Sequence, residues 1–119
     1  MYPGFNTTQL TESKNFYTKH FGFSVVFEAD WFVLLRRDAY GLGFMLPQLP
    51  QQNALFQPAF GGGSWLAFET TDVDGEYARL QQAGVPIVAT IRDEVWGDRH
   101  FVIQDPNGIG VDVYQRVAQ

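Results

Sequence analysis

With 119 residues the chain has the length of one domain, and a domain of this size buries roughly two thirds of the surface its unfolded form exposes, so it can hold a core without covalent staples. It contains no cysteine, which excludes disulfides, thiolate metal sites and cysteine nucleophiles and leaves the redox compartment open. Eight Lys and Arg against thirteen Asp and Glu give a net charge of −5, and no basic cluster exceeds Arg36-Arg37, which argues against nucleic acid as a partner; a negative field favours a cationic ligand, although such a surface commonly serves solubility alone.

In chain order, Met1-Tyr2-Pro3-Gly4-Phe5 shows no basic region followed by an apolar stretch, and no apolar run reaches membrane-spanning length; a cytoplasmic protein without a membrane partner is expected. Phe5-Asn6-Thr7-Thr8-Gln9-Leu10 then recurs as Phe68-Glu69-Thr70-Thr71-Asp72-Val73 at an offset of 63, each copy standing where an extended segment passes into a helix. The helices are read as Thr11 to His20 and Val73 to Ala83, the second with Val73, Tyr77 and Leu80 at i, i+4 and i+7. Asp72 or Thr71 suits the N-cap of the second helix, and Gly22 and Gly84 suit the left-handed position just past each C-terminus.

Three short strands follow in each half: about Ser24–Ala29, Trp31–Arg36 and Gly41–Leu46, then Ile87–Ile91, Arg99–Gln104 and Ile109–Tyr114. Gly41-Leu42-Gly43-Phe44 falls on Gly110-Val111-Asp112-Val113 at an offset of 69. The chain is therefore expected to be a single α+β domain of two βαβββ modules, about 1–46 and about 64–119, with curved mixed sheets around a shared cleft and helices outside. Open strand edges call for cover by the other module or by a second chain, and a two-fold homodimer is the economical closure.

The joining segment, 47–63, is longer than most connections in compact domains. Leu55, Phe56 and Phe60 give it something to bury, and Gly61-Gly62-Gly63 reads as its hinge. It either crosses the surface as an ordinary connection or lines the cleft, in which case Phe56 is a binding residue.

The duplication, with Ser13-x-x-Phe16-Tyr17 leading to Phe21-Gly22-Phe23 in the first half and Trp96-Gly97-x-Arg99-x-Phe101 then Asp105-Pro106-x-Gly108 in the second, resembles the vicinal oxygen chelate superfamily of glyoxalases, extradiol dioxygenases and bleomycin-resistance proteins. The resemblance covers nearly the whole chain and implies the fold more firmly than the activity, since one scaffold here hosts isomerisation, oxygenation, thiol transfer and ligand sequestration. Catalytic members hold a divalent metal with His, Glu or Gln from the first and last strand of each module. Carried over, those positions fall on Tyr2 (with one residue of slack to Pro3), Gly43, Trp65 and Asp112. A lone Asp is far short of the three protein groups a catalytic divalent site keeps, so no metal and no other cofactor is expected, and the chain looks most like the metal-free, drug-binding branch. His20 and His100 stand outside the ligand positions, His20 by default in a helix-end or packing role and His100 beside Phe101.

Alternation supports that reading. Leu66 and Phe68, with Val111 and Val113, suit the helix side, which leaves Trp65, Ala67 and Glu69, with Gly110, Asp112 and Tyr114, on the other face. Gly41 and Gly43 do the same in the first module. The result is a cup floored by glycine, walled by Trp65 and Tyr114 and carrying a carboxylate, suited to a flat, partly cationic small molecule. The alternative for Trp65 is a core tryptophan filling the space of a metal. Trp96 either closes over a bound ring or anchors a dimer contact. Arg99 either holds an anionic group or pairs with a carboxylate such as Asp98 or Asp105, and Asp105-Pro106-Asn107-Gly108 is a turn. Ser13 and Ser64 lack a His partner at suggestive spacing, and the triple glycine lacks the Lys-Ser/Thr of a phosphate loop.

Two functions follow. The first is a non-catalytic protein that sequesters an aromatic small molecule such as an antibiotic, with Trp65, Trp96 and Tyr114 stacking and Asp112 or Glu69 meeting positive charge. The second is an enzyme, either a glyoxalase-type lyase or isomerase with a non-standard metal site or a metal-free catalyst with Asp112 as general base.

Overall fold

Each Phe-x-Thr-Thr segment leads from a strand into a helix, as its spacing predicts, and the local chemistry differs between the copies. Asp72 caps the second helix by accepting from Gly75 N at 3.1 Å. Gln9, the N-cap of the first, makes no side-chain cap bond; Thr7 Oγ1 instead accepts from Gln9 N at 3.0 Å, and Ser13 Oγ donates to Gln9 O at 2.6 Å. Both helices end on left-handed glycines, Gly22 at φ 70° and Gly84 at φ 80°.

A computed structural model describes residues 1–117. The chain divides into two units, Met1–Gly61 and Gly62 onward. The first contains β1 (Gly4–Asn6), α1 (Leu10–Phe21), β2 (Ser24–Glu28), β3 (Phe32–Arg37) and β4 (Tyr40–Met45), with sheet order β1-β4-β3-β2. The second contains β5 (Trp65–Glu69), α2 (Val73–Gln82), β6 (Ile87–Asp93), β7 (Asp98–Gln104) and β8 (Gly110–Arg116), with order β5-β8-β7-β6. In each sheet the first strand pairs parallel with the last and the other pairs are antiparallel. This is the expected α+β fold of two similar βαβββ modules with mixed sheets.

The registers confirm the internal repeat. Phe5 pairs with Phe44 as Phe68 pairs with Val113. Phe32 pairs with Met45 as His100 pairs with Tyr114. In unit 1 the helix-side core is Phe5, Tyr17, Phe21, Phe23, Val33, Leu35, Leu42 and Phe44, with Tyr17 stacked on Phe44 at 5.7 Å. In unit 2 it is Val73, Leu80, Phe101, Ile103, Ile109, Val111 and Val113. Burying each such side chain stabilises the fold by roughly 1.5–3 kcal/mol.

The joining segment packs on unit 1 by other means than its sequence suggests. Asn6 Nδ2 donates to the carbonyls of Phe56 and Pro58, Phe60 N donates to Asn6 O at 2.8 Å, and the Phe60 ring stands edge-on to Phe5 at 5.4 Å. Leu55 and Phe56 lie in a single 3-10 turn, Ala54–Phe56, and remain exposed rather than buried. A three-residue turn held by its backbone and by Asn53 has no face to turn inward. At the other end of the chain, Asp105 accepts from Asn107 N at 2.8 Å and Ile109 N at 2.9 Å, so Asp105–Gly108 is the turn expected of it.

Candidate functional site

The sheet of unit 2 buries one face under α2 and leaves the other available. Ala67 pairs with Asp112 and Glu69 with Tyr114 in the parallel ladder, while Val102 pairs with Asp112 and His100 with Tyr114 in the antiparallel one. Because side chains alternate along a strand, Trp65, Glu69, His100, Asp112 and Tyr114 therefore share the face opposite Leu80 and Phe101. Trp65 is 72% exposed, so it is not the core residue that was its alternative reading. Tyr114 Oη reaches Glu69 Oε1 at 3.5 Å, and the Arg116 guanidinium lies 5.9 Å from the Tyr114 ring centroid.

At the centre of this face stands a contact the sequence reading did not pick out. His100 Nδ1 lies 2.7 Å from Asp112 Oδ1, and His100 Nε2 lies 3.7 Å from Glu94 Oε2. His100 and Glu94 side chains are only 17% and 11% exposed. Glu94 also holds Arg92, whose Nε is 2.8 Å from Oε1. Trp96 covers the edge of this group: its indole is 61% exposed, stands edge-on to the His100 ring at 6.2 Å and donates from Nε1 to Asp98 Oδ2 at 3.0 Å. The signal for the pair was present in the hairpin. With Asp105–Gly108 as the turn, His100 and Asp112 become diagonal neighbours on one face, a relation that side chains of this length can bridge.

Arg99 does not belong to this set. It alternates with His100 and so faces the helix side, where its Nη2 donates to Asp74 Oδ1 at 2.9 Å and its Nη1 to Asp93 Oδ1 at 3.2 Å. It pairs with carboxylates as one reading had it, but those of α2 and β6 rather than Asp98 or Asp105, because strand register decides which acids it meets. The hydrogen bond from Arg99 holds the Asp74 carboxyl below its ordinary value, and Asp74 in turn raises Arg99. Phe56 belongs to unit 1.

The duplicate face of unit 1 is furnished differently. A Cβ added at Gly43 would stand 2.6 Å from Tyr2 Cε2 and 3.4 Å from Phe32 Cε1, and one at Gly41 would stand 2.9 Å from Tyr2 Cβ. The Tyr2 ring thus lies along the two glycines that the sequence reading left as open floor.

These residues do not suit the divalent metal of catalytic relatives. In unit 1 the carried-over positions offer an aromatic ring packed on glycine, and in unit 2 they offer Trp65 and an Asp112 already bonded to His100. Among the described residues no group of three or more His, Cys, Asp or Glu side chains is placed to hold a metal ion.

Comparisons with known proteins agree on the scaffold. Residues 2–113 match the family described as the Glyoxalase/Bleomycin resistance protein/Dioxygenase superfamily. Uncharacterized proteins of Mycobacterium bovis and Mycobacterium tuberculosis are each 33% identical over 64 residues, 53% of this chain; the match spans 42% and 38% of those relatives. Among solved structures, a lactoylglutathione lyase from Agrobacterium tumefaciens superposes with a TM-score of 0.80 at 20% identity, covering 97% of this chain and 91% of that one. TnmS3, an antibiotic binding protein from a Streptomyces species, superposes with a TM-score of 0.73 at 22% identity, covering 96% and 92%. At such identities these likenesses speak for the fold alone.

Proposed function

The chain belongs to the glyoxalase/bleomycin resistance protein/dioxygenase superfamily, and from that premise we propose that it is a metal-free small-molecule binding protein that sequesters an aromatic, cationic compound such as an antibiotic. The observation that carries this reading is the open face of the second sheet. Trp65 and Trp96 offer exposed ring surface there beside the half-buried Tyr114, and Glu69, Glu94 and Asp112 supply carboxylates against Arg92, which is bound to Glu94, and Arg116, which lies over the Tyr114 ring. Aromatic walls with a few oriented acids hold flat cations by stacking and charge together. The net charge of −5 adds a field of the same sign, and the antibiotic-binding neighbour supports the class of ligand. Function is then mass action: the protein lowers free ligand in the cytoplasm.

A homodimer is part of this proposal. Val25, Val26 and Phe27 lie exposed on β2, an edge strand, and apolar edges of this kind call for a partner. Sedimentation velocity at micromolar concentration tests it, and a purely monomeric species would remove that part.

Quenching of tryptophan emission by a panel of cationic aromatic antibiotics tests the central claim. Saturable quenching by at least one compound is expected; no response from the whole panel at high micromolar concentration would end it. Metal analysis separates the enzymatic rival, because a stoichiometric divalent ion removable by chelator contradicts a metal-free binder.

A further inference from the structure

One polar arrangement on this face is not explained by stacking. Asp112 Oδ1, a carboxylate oxygen, can only accept at 2.7 Å, so His100 Nδ1 carries the hydrogen, and in the neutral imidazole Nε2 presents a lone pair. That lone pair faces Glu94 Oε2 across 3.7 Å. With the imidazole neutral both atoms are acceptors and the distance is too long for a hydrogen bond, so a donor that enters between them can bond to each. Arg92 supplies that donor only in part, since its Nε is committed to Glu94 Oε1 and its Nη2 is 3.5 Å from Oε2. The indole of Trp96 stands at one side, its own hydrogen spent on Asp98, and Tyr114 lies directly across the ladder from His100.

We propose that His100 Nε2 and Glu94 Oε2 form a selective seat for one nitrogen bearing at least two hydrogens, a primary ammonium or an amidinium, on a ring that packs against Trp96 and Tyr114. The inference rests on the binding reading above and deepens it by naming the group selected and the two residues that select it. A nitrogen about 2.9 Å from both acceptors donates one hydrogen to each. A hydroxyl has one hydrogen and satisfies one acceptor, and a carboxylate meets two acceptors with none. Charge favours the cation further, because Glu94, Asp112 and Glu69 outnumber Arg92 and Arg116 around the seat. The same acids weigh against the other use of a carboxylate-held histidine, general-base attack on a neutral substrate. The anion formed there would lie beside Glu94, and Arg92, the cation at hand, is already bonded to that carboxylate.

The test uses the full chain and three probes of equal ring size: 2-naphthamidine, 2-naphthalenemethanol and 2-naphthoate. The amidine should bind at least about tenfold more tightly than the alcohol, with the carboxylate weakest, and saturating amidine should shift the His100 Nε2 resonance in nitrogen-15 spectra. His100→Phe, which installs the ring that the duplicate position Phe32 carries, and Glu94→Gln, which keeps shape and removes charge, should each reduce the preference to about threefold or less while alcohol binding is retained. Circular dichroism checks that each variant folds, and Glu94→Gln stands alone if His100→Phe does not. If the probes bind but the preference survives both variants, or the Nε2 resonance stays still, the seat is wrong and the binding face stands. If no probe of any charge binds, the binding face falls and the seat with it.

Discussion

The two sheets are built on one repeat, yet their open faces carry opposite contents. In unit 1, Gly43 lies under the Tyr2 ring with Phe32 beside it; in unit 2 the duplicate positions are Asp112, Trp65 and His100. A tyrosine can lie flat on a strand that offers glycines. A tryptophan cannot do so where the second glycine is replaced by a carboxylate tied to a histidine, and Trp65 accordingly stands at 72% exposure against 44% for Tyr2. The comparison teaches that the strand position that Gly43 leaves to the Tyr2 ring in unit 1 is taken in unit 2 by Asp112, which is bonded to His100. Asn6 and Glu69 repeat the lesson, the first spent on loop carbonyls and the second accepting no more than a long contact from Tyr114.

The largest expected effect lies on the helix-side face that each unit buries within itself. Tyr17→Ala should cost about 3–5 kcal/mol and its counterpart Leu80→Ala about 2–5 kcal/mol in urea denaturation, since both side chains are fully buried under their sheets. A cost under about 1 kcal/mol at either would break the claim that the helix-side cores are equivalent.

A substitution at Gly43 probes the filled face directly. Gly43→Ala should destabilise by about 1–2 kcal/mol because its Cβ meets the Tyr2 ring, and most of that cost should vanish in a Tyr2→Ala background. Equal costs in both backgrounds would mean the ring is not what excludes a side chain there.

Asp112→Gly should convert the open face toward the filled one. Removing the carboxylate frees His100 Nδ1 and clears the strand beneath Trp65, so the Trp65 emission should move to shorter wavelength as the indole settles on glycine. The accompanying loss of stability should be about 1 kcal/mol, because the side chain is only partly buried. Unchanged emission would show that Asp112 does not hold the face open.

The smallest effect concerns Asp74 and Arg99 on the helix side of unit 2. The hydrogen bond from Arg99 lowers the Asp74 pKa, so its contribution is fully present above the ordinary value of 3.8 and is lost as pH falls through the lower folded value. Asp74→Asn should flatten the acid limb of the stability profile slightly and leave neutral stability nearly unchanged, since the pair is exposed. An unaltered acid limb would remove this pair from the account.

Much of the architecture was legible in residue order. Phe-x-Thr-Thr at its offset of 63, the glycines at 22 and 84 and the alternation of Val111 and Val113 are local features, and local sterics and burial period determine what they become. The same alternation correctly placed Trp65, Glu69, Asp112 and Tyr114 on one face. Arg99 and His100 were harder, because their roles depend on which acids stand across the ladder. A shift of one residue in register would exchange their faces, and only the Asp105–Gly108 turn and the pairing of β7 with β6 and β8 specify it.

What the sequence determined by itself is the repeat, the cap of the second helix and the glycines that end both helices, all of which follow from chain chemistry and spacing; the replacement of metal-ligand residue types at Tyr2, Gly43 and Trp65 is what the family resemblance implies. What only the tertiary structure decided is how those side chains are spent. Tyr2 lies on Gly43, Leu55 and Phe56 stay exposed, Arg99 turns to Asp74, and His100 is gripped by Asp112 and faces Glu94. These contacts join residues distant in sequence, and their energies depend on separations of a few ångströms that the backbone fixes only once both sheets are paired.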